Sequence, residues 1–470
     1  MPELQLVSTP PSEVRGTAAE VSRNLRAYFR SGTTKTLAWR LSQLDALEHL
    51  LRERESDILA ALHADLAKPA SEAFTSEVGM TLSEVRHVRK KLRAWMKPER
   101  VRTSLVAMPG RSYVYREPLG VVAIIAPWNY PFQTAVLPLV GALAAGNCVV
   151  VKPSEIAPHS SALMAKWLPK YLDPKAVRVF EGGVPETTAL LREKWDHIFY
   201  TGNGNVGRIV MEAAAKNLTP VTLELGGKSP AIVDDTADLD VAARRIVYGK
   251  FFNAGQTCVA PDYVLVHHDV HDALVNRMVS AIREFYGDDP KQSPDFARII
   301  DERHHARLTR LLEGADVVTG GETDLGEKYI APTILRNVRE TDAVMQEEIF
   351  GPILPVVSVP DIGAAIAFVN RGNKPLALYC FSTSKSVRDR VLAETSAGGT
   401  TINHVWMHVG VPSLPFGGVG ESGTGAYHGR HSFETFSHRR GVLKKSSLPD
   451  PPLLFPPYAP WKLRWIRRLL

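Results

Sequence analysis

The chain contains few cysteines for its length. Its 470 residues include three, which are Cys148, Cys258 and Cys380. An odd number of cysteines at such long spacings forms no disulfide framework, and the spacings do not match those of zinc ligands. We therefore expect a protein of a reducing compartment with no metal site.

Long apolar runs are also missing. No stretch reaches the ~18 apolar residues that a membrane-spanning helix requires, and the longest, such as residues 121–126, have the length of a strand. The first residues, Met1-Pro2-Glu3, lack the basic and apolar regions of a secretory signal. The sequence therefore predicts a cytoplasmic protein.

Charge of either sign is not in large excess. The formal net charge is +6. This mild excess favours anionic cofactors or membrane surfaces, and it gives no reason to expect nucleic-acid binding. The chain is too long for one compact core, so we expect two or three domains.

Hydrophobic periodicity changes along the chain. Apolar residues recur every three or four positions through the first 100 residues, which predicts scaffold helices. From residue 121 onward, short apolar strands alternate with helices, which predicts an α/β fold with buried parallel sheets.

A Pro-Gly turn between the β-prone runs of residues 104–115 predicts a hairpin. Residues 314–325 are polar and contain glycines, which predicts a surface loop.

Two motifs carry a nucleophile and a base. Cys258 lies in the string FFNAGQTCVAP (251–261), with no second cysteine nearby. Glu224 lies between two leucines and is followed by Gly226 and Gly227. Burying a carboxylate is costly, so a glutamate in an apolar segment suggests a functional role. A thiol and a nearby general base together predict covalent catalysis.

Asn129 follows an apolar strand, in the string PWNYP (127–131). Ligands bind at such strand ends in open α/β sheets. An asparagine there is either a neutral hydrogen-bond donor or an ordinary turn residue. The residues alone leave both interpretations open.

Glycines and a lysine mark a possible dinucleotide site. Gly202, Gly204 and Gly207 have the GxGxxG spacing between a predicted strand and a predicted helix. The pattern alone is weak, because the usual acidic residue ~20 positions later is not clearly present. Lys152 leaves another apolar strand, and Glu155 follows it. A lysine there is costly to bury unless it meets an anionic or polar group.

Residues 346–352 (QEEIFGP) are either a helix end with a turn or part of a binding site. Together with the strings above and SFETFSH (432–438), they resemble, in one order, the motifs of the aldehyde dehydrogenase superfamily. Residues 218–224, 256–262 and 427–429 resemble its class 3 branch, which includes fatty and aromatic aldehyde dehydrogenases.

The resemblance implies a fold of three parts: a Rossmann-like NAD-binding domain, an α/β catalytic domain, and a β-hairpin element that bridges subunits of a homodimer. The implied segments are 1–98 and 120–223 for the NAD-binding domain, 224–408 for the catalytic domain, 99–119 and 409–447 for the bridging element, and 448–470 for a C-terminal tail.

The resemblance also implies the reaction, NAD- or NADP-dependent oxidation of an aldehyde to the acid through a thiohemiacetal and a thioester. The substrate would be a medium- or long-chain aliphatic or an aromatic aldehyde. Cys258 would be the nucleophile, Glu224 the base and Asn129 the oxyanion donor. The implied cofactor-binding residues are Lys152 and Glu155 at the adenosine ribose, Thr201, Gly202 and Gly207 in the glycine loop, and Glu348 and Phe350 at the nicotinamide ribose and ring.

Two rival hypotheses use the same residues. A cysteine acyltransferase or hydrolase would need Cys258 and a base but no cofactor, and it leaves Lys152, Glu348 and Phe350 unexplained. A non-catalytic protein on this fold would not need the intact set of Cys258, Glu224 and Asn129.

The C-terminal tail differs from the rest of the chain. Prolines are frequent from residue 449 to 460 and exclude a regular helix there. On a helical wheel of residues 461–470, Arg464, Arg467 and Arg468 share one side. The other side is apolar, with Lys462 intruding, and comprises Trp461, Trp465, Ile466, Leu469 and Leu470. Such a helix lies either in an anionic membrane interface or on a protein surface.

Overall fold

The computed structural model describes residues 16–448, 450 and 452–469. Its strands are β1 (Glu99–Val101), β2 (Gly110–Pro118), β3 (Val121–Ile125), β4 (Cys148–Lys152), β5 (Val177–Val179), β6 (His197–Thr201), β7 (Val221–Glu224), β8 (Pro230–Val233), β9 (Tyr263–His267), β10 (Asp316–Thr319), β11 (Thr323–Asp324), β12 (Tyr329–Ile330), β13 (Thr333–Arg336), β14 (Ile353–Val359), β15 (Ala377–Phe381), β16 (Gly399–Ile402), β17 (Gly423–Thr424) and β18 (Ser437–Lys445).

The helices alternate with the strands after residue 120. They are α1 (Ala18–Arg30), α2 (Leu37–Glu53), α3 (Glu55–Leu66), α4 (Ala70–Ala73), α5 (Met80–Trp95), α6 (Gln133–Ala145), α7 (Pro158–Tyr171), α8 (Val184–Arg192), α9 (Gly204–Ala215), α10 (Leu239–Phe251), α11 (His271–Tyr286), α12 (Glu302–Arg310), α13 (Ala343–Gln346), α14 (Ile362–Arg371), α15 (Lys385–Glu394), α16 (Gly429–Thr435) and α17 (Pro460–Leu469).

A first sheet has the strand order β17-β7-β6-β3-β4-β5. The sheet is parallel from β7 through β6, β3 and β4 to β5. At its other edge, β17 runs antiparallel to β7. Every residue of β3 and β4 is buried, because helices cover both faces of a parallel sheet. The carboxyl ends of its strands therefore meet at one edge, where β4 ends in Lys152, β6 in Thr201 and β7 in Glu224.

A second sheet has the order β10-β13-β14-β9-β8-β15-β16. Its neighbouring strands are parallel except at the β10 edge, where β10 runs antiparallel to β13. Strands β10 and β11 fall within residues 314–325, so the prediction of a plain surface loop there was wrong. Their side chains are mostly exposed or half-buried, so they lack the apolar alternation that marks a strand in sequence.

A third sheet has the order β1-β2-β18. Strands β1 and β2 form a hairpin, but its first strand precedes the predicted residues 104–115. Strand β18 pairs along the whole of β2, from Ser437 opposite Pro118 to Lys445 opposite Gly110. The connection between β1 and β2 holds a 3₁₀ turn at Leu105–Ala107, where the sequence had predicted a β-prone run. Strand β17 belongs to residues 409–447, which were predicted to bridge subunits, but it pairs with β7 of the first sheet. The predicted domain boundaries stay a prediction.

The N-terminal helices pack on the first sheet and on one another. Their buried faces carry the apolar residues that recur every three or four positions, such as Leu44, Leu47 and Leu51 on α2. Helix α2 contacts α5 and α6, and α1 contacts β3 and β4. This packing matters for the site because α6 begins directly after the loop that carries Asn129.

Helix α17 ends the described chain and lies against the turn at Leu105–Ala107. Lys462, which intrudes on the apolar side of the helical wheel, is buried, and its Nζ donates to the carbonyl of Phe455 at 2.8 Å. Within the described residues, no helix is long and apolar enough to cross a membrane.

Candidate active site

A cavity of about 610 Å³ opens between the first and second sheets. All the predicted site residues except Gly207 contribute to its described wall, and they are Asn129, Lys152, Glu155, Thr201, Gly202, Glu224, Cys258, Glu348 and Phe350. Residues from 129 to 350 thus meet in one space.

Cys258 lies in the connection between α10 and β9. The connection turns sharply, because Asn253 and Ala254 adopt left-handed backbone conformations with φ of 53° and 49°. Gln256 then fixes the loop. Its side chain is fully buried, donates to the carbonyls of Asn253 (3.0 Å) and Arg298 (2.9 Å), and accepts from the N–H of Ile300 (3.0 Å). Gln256 had no predicted role, although it belongs to the string of residues 251–261 that carries Cys258.

Asn129 reaches the same loop from the first sheet. Its side-chain Nδ2 donates to the carbonyl of Gln256 at 3.0 Å, and the residue is buried. The neighbouring Tyr130 hydroxyl lies 2.6 Å from Oγ1 of Thr257. Two adjacent residues of the PWNYP string therefore contact the two residues that precede Cys258. The side-chain NH₂ group of Asn129 has a second hydrogen to donate.

Glu224 stands at the end of β7 and is 2% exposed. Neither of its carboxylate oxygens has a hydrogen-bond partner among the described residues. Burial raises the pKa of this carboxyl well above its ordinary value. Such an unsatisfied acid in a cavity is costly and is typical of a functional site.

The Cys258 thiol is not activated by its protein surroundings alone. Burial raises its pKa to about 12, and the nearby carboxyl groups of Glu348 and Glu224 act in the same direction. Of the two routes to a reactive thiolate, these surroundings do not supply a depressed pKa, which leaves a nearby base.

Lys152 and Glu155 form an ion pair in the cavity wall, with Nζ and Oε2 2.6 Å apart. The lysine side chain is 4% exposed, whereas that of Glu155 is 43% exposed. Lys152 is therefore buried, whereas the carboxylate of Glu155, although paired with it, is partly exposed.

Helix α9 begins at the glycine loop. Asn203 caps it by accepting from the N–H of Val206 at 3.0 Å, and Thr201 Oγ1 is buried without a partner within the described part of the chain. A Cβ at Gly207 would lie 2.9 Å from Leu225, so this glycine lets α9 approach the end of β7. A helix N-terminus this close to a strand end suits an anionic phosphate group.

Glu348 and Phe350 come from the loop before β14. Burial raises the pKa of Glu348 to about 8, and its Oε1 has no partner among the residues that the structure describes. Phe350 has a φ of 51° and packs edge-on against Trp128 at 5.4 Å. Asp262 holds the loop by accepting from the N–H of Ile349 at 2.9 Å. The residues fit a nicotinamide riboside, because they offer an acceptor and an aromatic face side by side.

The remaining wall is largely apolar and aromatic, and the sequence analysis assigned it no role. It includes Met80, Trp128, Tyr130, Phe252, Trp406, Val409, Phe416 and Tyr427. Trp128 and Tyr130 flank Asn129 in the PWNYP string, and this adjacency is the sequence signal that could have predicted them as wall residues. The others come from segments distant in sequence.

The described residues contain one group of three side chains with metal-ligand chemistry, formed by His267, His268 and Asp269. Their ligand atoms lie within 4.8 Å of one another. The group follows β9 and is not part of the described cavity wall.

The model of the aldehyde dehydrogenase family matches residues 10–442. The chain belongs to the aldehyde dehydrogenase family. It is 50% identical over 445 residues to aldehyde dehydrogenase family 3 member A2 of Pongo abelii, covering 94% of this chain and 92% of that protein. It is also 50% identical over 432 residues to the dimeric NADP-preferring aldehyde dehydrogenase of Canis lupus familiaris, covering 92% and 95%.

A solved structure of the substrate-bound state of Staphylococcus aureus AldH superposes with a TM-score of 0.94. It is 46% identical and covers 97% of this chain and 99% of that one. These findings confirm the predicted family, its class 3 resemblance, its α/β fold and its reaction, NAD(P)-dependent oxidation of an aldehyde. The roles of individual residues stay predictions.

Proposed function

We propose that this aldehyde dehydrogenase oxidises medium- or long-chain aliphatic or aromatic aldehydes, with Cys258 as nucleophile, Glu224 as general base and Asn129 as oxyanion donor. The observation that carries the proposal is the buried, unpaired carboxyl of Glu224, which shares an apolar cavity with the thiol of Cys258. No hydrogen bond within the described chain explains that carboxyl, whereas a reaction that transfers protons does.

In the first step, a base removes the proton of the Cys258 thiol, the sulfur attacks the aldehyde carbon, and the carbonyl oxygen becomes an oxyanion. The second hydrogen of Asn129 Nδ2 and the backbone N–H of Cys258 donate to that oxygen. The hydrogen bond from Asn129 to the carbonyl of Gln256 fixes the direction of the amide before the substrate arrives.

The nicotinamide cofactor supplies an acceptor for the hydride that leaves the thiohemiacetal carbon. Lys152 and Glu155 bind its adenosine ribose, and Thr201 and Gly202 with the start of α9 bind its phosphates. Gly207 permits the close approach of that helix. Glu348 accepts from the nicotinamide ribose, and Phe350 packs on the ring. NAD and NADP are both proposed as cofactors.

Glu224 then removes a proton from water, and the water oxygen attacks the acyl carbon of the thioester. The bond from that carbon to the Cys258 sulfur breaks, and the acid is released. A carboxylate with a raised pKa is the stronger base, and burial raises the pKa of Glu224. The apolar and aromatic wall favours a substrate with a long alkyl chain or a ring, because burying such groups is favourable and leaves no polar group unpaired.

The test is reduced-cofactor formation with aldehydes from short aliphatic to long aliphatic and aromatic, with NAD and NADP in parallel. We expect kcat/KM to rise with chain length or ring size, and Cys258→Ala to abolish turnover. Cys380→Ala is the control, because Cys380 is buried in β15. Folded protein that hydrolyses esters but reduces no cofactor would favour the acyltransferase or hydrolase alternative, and protein inert in both assays would favour a non-catalytic one.

The protein is also proposed to be a homodimer. Strand β18 is an edge strand of nine residues, Ser437–Lys445, mostly exposed, and a long exposed edge offers unpaired backbone groups to a second strand. The relative from Canis lupus familiaris is named dimeric. Light scattering after size-exclusion chromatography gives the mass, and a monomer at micromolar concentration would contradict the proposal.

We further propose a cytoplasmic enzyme that contacts membrane surfaces through residues 461–470. Trp461, Leu463 and Trp465 of α17 are 46%, 50% and 53% exposed, and the helix also carries Arg464, Arg467 and Arg468. Exposed aromatic and basic side chains on one short helix suit an anionic lipid interface.

Vesicle sedimentation tests this contact. Full-length protein should bind vesicles containing phosphatidylserine more strongly than vesicles of phosphatidylcholine. Deletion of residues 461–470 should remove the difference while aldehyde oxidation continues. Equal binding by both proteins would instead assign α17 to the protein's own surface.

A further inference from the structure

A buried ion pair lies behind the loop that carries Asn129. It joins Lys68 Nζ to Glu77 Oε1 at 2.5 Å, and both side chains are 0% exposed. Lys68 follows α3, after a left-handed residue at Ala67, and Glu77 lies in a wide π-helical turn at Phe74–Gly79. Such turns re-aim side chains and recur at functional sites.

Lys68 contacts one end of the loop. Besides Glu77, its ammonium donates to the backbone carbonyl of Asn129 at 3.1 Å and lies 4.1 Å from the centre of the Tyr130 ring. These contacts use the donor capacity of the group toward two consecutive loop residues.

Glu77 contacts the other end. Its Oε2 accepts from the backbone N–H groups of Phe132 (2.9 Å) and Gln133 (3.1 Å), at the start of α6. The first N–H groups of a helix lack intrahelical partners and carry partial positive charge. The carboxylate therefore anchors α6 at the point where the loop ends.

The loop is also tied to the cysteine segment. The side-chain amide of Asn253 donates both to the carbonyl of Asn129 (2.9 Å) and to that of Gln256 (3.2 Å). The carbonyl of Asn129 thus accepts from Lys68 on one side and from Asn253 on the other, while its own amide points to Gln256.

A buried ion pair is a poor device for stability alone, because removing two charges from water costs as much as, or more than, their attraction returns. We infer that Lys68 and Glu77 are positioning residues, which hold the backbone of residues 129–133 so that the Asn129 amide faces the oxyanion. The inference rests on the proposed function, since it assigns the pair a role through Asn129.

The main test is the double variant Lys68→Met/Glu77→Gln. It removes both charges together, so no lone buried charge remains, and it keeps an amide oxygen for the N–H groups of α6. We expect a folded protein that binds NAD(P), with KM for the aldehyde little changed and kcat lower by about 10- to 100-fold, because oxyanion donors act in the transition state.

An Asn129→Ala background separates positioning from a general loss of structure. If the pair acts through Asn129, adding the double substitution to Asn129→Ala should lower kcat little further, since coupled residues are not additive. Lys68→Arg keeps the charge and should retain more activity than the neutral pair. Arg26→Met/Asp196→Asn is the matched control, because Asp196 likewise pairs with a cation (2.8 Å) and accepts from a backbone N–H, that of Val121 (2.8 Å).

Hydrolysis of p-nitrophenyl acetate without cofactor should fall in parallel, because it needs the same thiol and oxyanion donor. Unchanged kcat in the double variant, or independent losses in the Asn129→Ala background, would overturn the inference. A double variant that unfolds while Lys68→Arg is fully active would assign the pair to folding. Wild-type protein that hydrolyses the ester but oxidises no aldehyde would contradict only the proposed function. The ester kinetics of the variants would then test the positioning role.

Discussion

The carboxylate of Glu348 lies directly over the α-carbon of Gly226, so closely that a Cβ at this glycine would overlap both carboxylate oxygens. Gly226 follows Glu224, the proposed base, by two residues, whereas Glu348 belongs to the loop that ends at β14. The glycine therefore makes room for the acid proposed to bind the nicotinamide ribose.

Gly226→Ala should displace Glu348 and weaken cofactor binding. We expect KM for NAD(P) to rise about tenfold, which corresponds to about 1.4 kcal/mol of binding free energy, with the protein still folded. Cofactor titration of steady-state rates measures it. Gly372→Ala is the control, since the nearest atom to its Cβ, Val369 O, lies at an ordinary 3.6 Å, and equal effects of the two substitutions would contradict the proposed contact.

Glu224→Gln should separate the two halves of the reaction. A thioester still forms, so mixing with aldehyde and NAD(P) should give a burst of reduced cofactor of about one equivalent per site. Steady turnover should then fall by about 100- to 10,000-fold, the range for loss of a general base. Stopped-flow absorbance records both phases. Glu212→Gln, on the exposed face of α9, should behave like the wild type, and normal steady turnover in Glu224→Gln would remove Glu224 from the base role.

Alkylation of Cys258 should accelerate with pH over the whole accessible range. Burial raises its pKa to about 12, so the thiolate is the minor form at every pH below that value. Between pH 6 and 9 the rate of iodoacetamide labelling without cofactor should therefore increase about tenfold per pH unit. Peptide mass spectrometry measures it, with buried Cys148 as the internal reference. A plateau near neutral pH would show that the thiol is activated without cofactor.

Glu155→Gln should shift the cofactor preference toward NADP. The variant removes a negative charge near the proposed position of a 2′-phosphate and frees Lys152 from its 2.6 Å pair. One partly exposed charge contributes about 1 kcal/mol, so the ratio of kcat/KM for NADP to that for NAD should rise about fivefold. Glu313→Gln, an exposed glutamate outside the cavity wall, is the control. An unchanged ratio would place Glu155 away from the ribose.

Several parts of the fold were accessible from local sequence. Strands β3 and β4 are continuous apolar runs, which only a sheet covered on both faces accommodates, and α2 shows the spacing of one buried helical face. The Pro-Gly signal predicted a hairpin in this region, but β1 lies before the predicted residues 104–115. Strand β10 was missed because its pairing with β13 is set by a neighbour in space rather than by its own exposed residues.

The sequence by itself determined which chemical groups are available: one cysteine and one glutamate in distinctive strings, an asparagine at a strand end, and glycines before a helix. Their types and spacings are local properties, and so they can be read along the chain. Only the tertiary structure decided that Lys68 and Glu77 stand behind Asn129, that Gly226 makes room for Glu348, and that burial raises the pKa values of Glu224 and Cys258. Burial and hydrogen bonding depend on residues distant in sequence that folding brings together, and no local pattern records them.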